Sequence, residues 1–125
     1  MDQNEIIYIN RGAIYTVYND WGPGLLESVY EAALIFELQE QGLKVKSQVP
    51  LPVFYKEVRL ELGFRIDILV ENAIVIEIKS VESLQNVQKK QPLTYLKLSG
   101  IKLGLLVNFN SEKLIDKESI IRIIN

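Results

Sequence analysis

Residues Phe64 to Ser80 read F-R-I-D-I-L-V-E-N-A-I-V-I-E-I-K-S, two alternating runs joined by a short turn. From Val58 onward, Val58, Leu60, Leu62, Phe64, Ile66, Ile68 and Val70 share one face at period two, with Arg59, Glu61, Arg65, Asp67 and Glu71 on the other. That alternation predicts a strand with one buried and one polar face. After Asn72 the pattern resumes, with Ile74, Ile76 and Ile78 on one face and Ala73, Val75, Glu77 and Lys79 on the other. If the two runs form a hairpin with coincident apolar faces, even-numbered residues must pair with even-numbered ones. A three-residue connection, Glu71-Asn72-Ala73, does this, and sets Val70 opposite Ile74, Ile66 opposite Ile78 and Asp67 opposite Glu77. Directly opposed Cβ atoms lie about 5 Å apart, which disfavours like charges unless something offsets them. Two readings stand side by side. Either a divalent cation sits between Asp67 and Glu77 with Lys79 beside it, or Asp, Glu and Lys neutralise one another on a solvated face.

The rest of the composition narrows the chemistry. A chain of 125 residues suits one domain, spanning 1–125, with a real hydrophobic core. Its 48% hydrophobic and 24% charged residues mark it as an ordinary globular protein. No apolar run reaches membrane-spanning length, and Met1-Asp2-Gln3-Asn4-Glu5 lacks the basic start of a signal peptide. With no cysteine as well, the expected location is the cytoplasm. The chain also has no histidine, so a standard zinc site, a Ser-His-Asp or Cys-His nucleophile and an imidazole base are all excluded. Carboxylates, lysine, tyrosine and hydroxyls remain, and carboxylates select hard cations such as Mg²⁺ or Mn²⁺. A net charge of −2 provides no global field for nucleic acid, so such a partner would need a local patch or a bound metal.

Along the chain, Ile6, Ile9, Ala13, Val17 and Trp21 recur at helical spacing and predict a helix over Asn4–Asp20. Gly22-Pro23-Gly24 breaks it. A second helix is expected from Gly24 to Gln41, with Leu26, Val29, Tyr30, Ala33, Leu34 and Leu38 inside and Gly42 as terminator. Lys44–Tyr55 alternates but contains Pro50 and Pro52, so it should be an edge or irregular strand. Leu84–Ser99 has helical potential, and Pro92 predicts either a kink or a helix that starts near it. Lys102–Phe109 reads as a buried strand and Ser119–Asn125 as a last strand. The expected class is α/β, with a crossover onto a mixed sheet.

Gly24-Leu25-Leu26-Glu27-Ser28-Val29-Tyr30 spells G-x-x-E-x-x-Y. R-I-D-I-L-V, I-E-I-K, Q-P-L-T-Y-L-K-L-S-G and L-G-L-L-V-N-F-N follow in order. From about Asn10 to Asn125 the chain resembles the GxxExxY proteins, a family placed in the PD-(D/E)XK nuclease superfamily. The resemblance implies a restriction-endonuclease-like fold, a mixed β-sheet with flanking helices. It also implies Mg²⁺-dependent phosphodiester hydrolysis, with Mn²⁺ able to substitute, and a nucleic-acid substrate, DNA ahead of RNA. Carried over residue by residue, it assigns metal binding to Glu27, Asp67 and Glu77, with help from the Ile78 carbonyl. Lys79 would complete the catalytic set, and Gln91 and Tyr95 match an accessory Q-x-x-x-Y. Gln88 stands where many members have histidine, and Pro92 where an aliphatic residue is usual. Lys44, Lys46, Lys89, Lys90, Lys97 and Lys102 are candidates for phosphate contacts. The alternatives are a catalytically inactive nuclease-fold module that binds nucleic acid or protein, and an exposed Ile115–Ile124 strand that pairs with another chain. A homodimer is compatible with either.

Overall fold

The computed structural model describes the backbone of residues 1–125 and every side chain except those of Glu61 and Leu62, so the faces assigned to those two lie outside the described residues. In chain order it contains α1 (Gln3–Trp21), α2 (Glu27–Glu40), β1 (Val45–Tyr55), β2 (Val58–Val70), β3 (Ile74–Lys79), α3 (Asn86–Ser99), β4 (Leu103–Asn108) and β5 (Ile120–Ile124). The strands form one mixed sheet in the order β1-β2-β3-β4-β5. Only β3 and β4 are parallel, joined by the α3 crossover that a parallel pair requires. The other neighbours are antiparallel.

Helices cover both faces. Ile6, Ile14 and Val17 of α1 and Tyr30, Leu34 and Leu38 of α2 pack with Ile68, Val70, Ile74, Ile76, Leu105 and Val107. On the opposite face Tyr95 and Leu96 of α3 pack with Leu51, Ile66, Leu69 and Val75. Strands buried on two faces need continuous apolar sequence, and β4 supplies it, with all of Leu103–Asn108 buried. The polar face expected for β3 is buried too, Val75 and Glu77 included, because α3 lies over it. Gly104 makes that close packing feasible: a Cβ there would meet the Val75 carbonyl oxygen at 3.1 Å and Leu96 Cδ2 at 3.5 Å.

Several boundaries differ from the sequence reading. Trp21, expected on the inner stripe of α1, is exposed, and Asn10 is buried with neither amide atom hydrogen-bonded among the described residues. α2 begins at Glu27, three residues later than predicted, and Leu26 and Val29, expected on its inner stripe, are exposed. α3 neither starts at Pro92 nor stops there. It begins at Asn86, where the Gln88 side-chain oxygen accepts the Gln85 N–H at 2.8 Å, and runs through a buried Pro92 to a left-handed Gly100. The first-turn capping contact offsets the bond that proline cannot donate.

The largest correction concerns β2. Ile68 and Val70 join the α1–α2 core as expected, but Ile66 joins the α3 core and Phe64 sits against the Tyr95 ring, centroids 5.4 Å apart. One unbroken alternation therefore serves opposite faces of the sheet. The change falls at Gln48 and Asp67, a rung missing between the pairs Ser47↔Ile68 and Val49↔Ile66. Gln48 there has φ 52, so β1 cannot continue as a regular strand. Beyond this point β1 and β2 continue as a two-stranded arm, interrupted by a further register shift between Leu51 and Val53. Near its tip Val58, expected on the buried face, is exposed, as are Phe54 and Tyr55.

Candidate active site

The place where the arm leaves the sheet is where the predicted carboxylates meet. The β2–β3 register is the one expected, with Val70↔Ile74 and Ile68↔Ile76, and Glu71 and Asn72 are left-handed in the connection. The ladder ends at Ile68↔Ile76, one rung short of Asp67 and Glu77. Their side chains take over from the backbone. Asp67 N–H donates to Glu77 Oε1 at 3.1 Å, and Ile78 N–H donates to Asp67 Oδ2 at 2.8 Å. Strand divergence thus opens a notch whose backbone donors are satisfied by two acidic side chains.

Burial and charge act together on this pair. Glu77 is 2% exposed. Loss of hydration, then the charge of Asp67, push its carboxyl up to about 9, against the lowering influence of the Asp67 N–H and Lys79. In the metal-free protein Glu77 therefore holds a proton at neutral pH. Lys79, next but one along β3, donates to Gln91 Oε1 of α3 at 3.3 Å. Tyr95, one turn further along α3, is buried, and its hydroxyl is pushed up to about 12 by desolvation and then by Glu77 and Asp67. It stays a neutral phenol.

Glu27 opens α2, as the macrodipole favours. It is exposed, and its Oε2 accepts the Ser80 N–H just past β3 at 3.4 Å. Tyr30, the last residue of the G-x-x-E-x-x-Y motif, holds the turn before Glu27 in place. Its buried hydroxyl donates to the Gly22 carbonyl at 2.6 Å and accepts the Leu25 N–H at 3.2 Å, while its ring stacks on Phe109 at 4.4 Å. Ser80 Oγ donates to the Leu25 carbonyl at 2.6 Å and ties the same turn to β3. Gly24 has φ 104, a conformation that favours glycine.

The structure therefore brings Asp67, Glu77, Lys79, Gln91 and Tyr95 together, with Glu27 at the rim beside Ser80. Sequence reasoning missed three further residues. Glu31, one turn after Glu27, accepts from Gln48 Nε2 at 3.0 and 3.2 Å, and the same nitrogen lies 3.5 Å from Asp67 Oδ1. Desolvation raises the Glu31 carboxyl, with Asp67 and Glu27 adding to the rise and Gln48 opposing it. Buried Asn108 accepts from Val81 N–H at 3.1 Å and donates to Val81 O at 2.9 Å, fixing the segment after Lys79. Only helical spacing from Glu27 pointed to Glu31. Gln48 carried no signal, since its partners are distant in sequence, and Asn108 entered only as part of the L-G-L-L-V-N-F-N stretch, with no role of its own.

The donors here are all oxygens, which fits a hard cation. Among the described residues no group of three or more His, Cys, Asp or Glu side chains is placed to hold a metal ion by itself. Such a set suits Mg²⁺, which commonly takes one or two carboxylates and fills its shell with water and substrate phosphate. Beside the notch, a cleft of about 400 Å³ is lined by Phe64, Val87, Gln88, Lys90, Gln91 and Thr94. A groove of about 470 Å³ between α1 and α2 lies apart from the carboxylates. Among the described residues no helix is long and apolar enough to cross a membrane.

Comparison with known proteins bears on the family and the fold. The family model described as PD-(D/E)XK nuclease superfamily matches residues 4–123. The solved structure of SSO0001 is similar in fold at a TM-score of 0.57 and 21% identity, over 78% of this chain and 50% of that one. The chain thus spans about half the length of that protein. No curated protein matches the sequence.

Proposed function

The chain belongs to the PD-(D/E)XK nuclease superfamily, with a restriction-endonuclease-like α/β fold, and on that premise we propose that it is a Mg²⁺-dependent nuclease hydrolysing phosphodiester bonds. The observation that carries this reading is the meeting of Asp67, buried Glu77 and Lys79 where β2 parts from β3. Gly24, Glu27 and Tyr30 support the finer assignment to the GxxExxY proteins. Nucleic acid is the proposed substrate, DNA ahead of RNA.

Asp67 and Glu77 would hold the cation, with Glu27 contributing from the rim. When bound, a divalent cation supplies Lewis-acid stabilisation of the scissile phosphate and acidifies an attacking water. Glu77 would have to ionise to serve as a ligand, and a bound cation's charge would favour that ionised form. Lys79, steadied by Gln91, presents a fixed positive charge toward the developing negative charge on phosphorus-bound oxygens, most effective in a site partly screened from water. Neutral Tyr95 closes the α3 side and limits water there.

Isothermal titration of Mn²⁺ at neutral pH, alone and with a short DNA duplex, tests the site in wild type, Asp67→Ala and Glu77→Ala. Binding by wild type that is lost in both variants is expected, together with Mg²⁺-dependent cleavage within a panel of single- and double-stranded DNA and RNA. Failure of wild type to bind with or without duplex would overturn the proposal.

A further inference from the structure

Gln48 is an exposed residue of an edge strand, yet its conformation is among the most constrained in the chain. Its φ of 52 places it in the left-handed region within β1. Non-glycine residues adopt that region rarely, and such strain persists where the surroundings over-determine it. The left-handed turn coincides with the missing rung opposite Asp67. The amide nitrogen of Gln48 lies 3.0 and 3.2 Å from the two Glu31 oxygens and, at the outer limit of a hydrogen bond, 3.5 Å from Asp67 Oδ1. The other Asp67 oxygen, Oδ2, accepts the Ile78 N–H.

We propose that Gln48 is a positioning residue for Asp67, tying Glu31 of α2 to the arm so that the Asp67 carboxylate is presented in one orientation to the metal. The inference rests on the reading of Asp67 as a metal ligand. Glu31 and Asp67 would otherwise face one another as two carboxylates, free to turn apart. An NH₂ group anchored on Glu31 supplies a donor toward both. With Oδ2 held by the β3 backbone and Oδ1 turned toward Gln48, the plane of the Asp67 carboxylate is fixed from two sides. Groups that orient a metal ligand in this way typically change metal affinity by about 10- to 100-fold when removed.

A merely structural role for Gln48 makes a different forecast. Glycine is the residue best suited to φ 52, so Gln48→Gly relieves the backbone while removing the amide. We expect its thermal midpoint without metal to be equal to or above wild type, and its Mn²⁺ affinity by titration to fall at least about tenfold. Glu31→Ala should weaken Mn²⁺ binding as well, and Gln48→Gly/Glu31→Ala should lose no more than the weaker-binding single variant, because both act through one contact. Asp67→Ala in the same series separates the two levels of the argument. If Asp67→Ala abolishes binding and Gln48→Gly leaves it unchanged, the role of Gln48 is overturned and the metal site stands. Additive losses in the double variant, or a lost affinity accompanied by a lowered midpoint, would also overturn it. Wild-type affinity in Asp67→Ala would remove the site and this inference together.

Discussion

Glu77 is the residue whose surroundings conflict most with its chemistry. A carboxyl 2% exposed and beside Asp67 binds its proton up to about pH 9 in the folded chain, against 4.5 ordinarily. The folded state therefore holds this proton more tightly than the unfolded state does. Its contribution to stability is complete below the ordinary value and is lost progressively as pH rises from about 4.5 toward about 9. Glu31 is shifted in the same direction and adds to the trend. Asp116, beside Arg11 with N–O 2.7 Å, is shifted the opposite way and acts only in the acid range. Glu77→Gln keeps the shape and cannot ionise. In metal-free buffer the midpoint of wild type should fall across this window, while that of Glu77→Gln should fall much less. Parallel pH profiles for the two proteins would show that Glu77 titrates as an ordinary carboxyl. Asp67 and Glu77 were legible in the sequence because parity alone fixes which residues face each other across a three-residue turn. That Glu77 is buried was not, since the cover comes from α3, a separate element.

Among the elements, α2 shows how a short motif combines scaffold and site. Glycine lets the chain turn, glutamate reaches the end of β3, and tyrosine locks the turn from below. Tyr30→Phe leaves the stacking on Phe109 in place and deprives the Gly22 carbonyl and the Leu25 N–H of their partner. Removing one partner from groups near the core costs about 1–3 kcal/mol. Urea unfolding should report a loss in that range with an unchanged m-value, and Mn²⁺ affinity should weaken if the Glu27 turn loosens with it. No loss of stability would mean that water replaces the hydroxyl at no cost. Element types and order were readable throughout, because each helix or strand carries its own periodicity. Ends were less so. The helical stripe read through Leu26 cannot tell a first helical turn from the turn pinned by Tyr30, and Pro92 as a breaker was outweighed by the packing of Tyr95 and Leu96 below it.

At the scale of the whole molecule, the reversal of the β1–β2 ribbon divides the chain into a body and an arm. The arm was invisible in the alternation, because a twist at one rung exchanges faces without changing parity. It turns on Gln48, whose positive φ no composition or spacing foretells. The consequence is an uneven distribution of stability. β3 and β4 are covered on both faces by helices, and their residues Ile74–Ile78 and Leu103–Val107 are buried. The distal ladder from Val53↔Leu60 to Tyr55↔Val58 carries exposed side chains at Phe54, Tyr55 and Val58 and has few buried contacts to hold it. Regions with sparse burial open locally, whereas densely buried strands exchange their amide hydrogens only when the whole domain unfolds. Native-state hydrogen exchange should therefore place the β3 and β4 amides in the slowest class, sharing the global denaturant dependence. The distal arm should exchange far earlier and with little denaturant dependence, and the boundary should fall near Gln48 and Asp67. If arm and body exchange as one unit, the exposed tip is held by more than its own ladder, and the division at this rung is wrong.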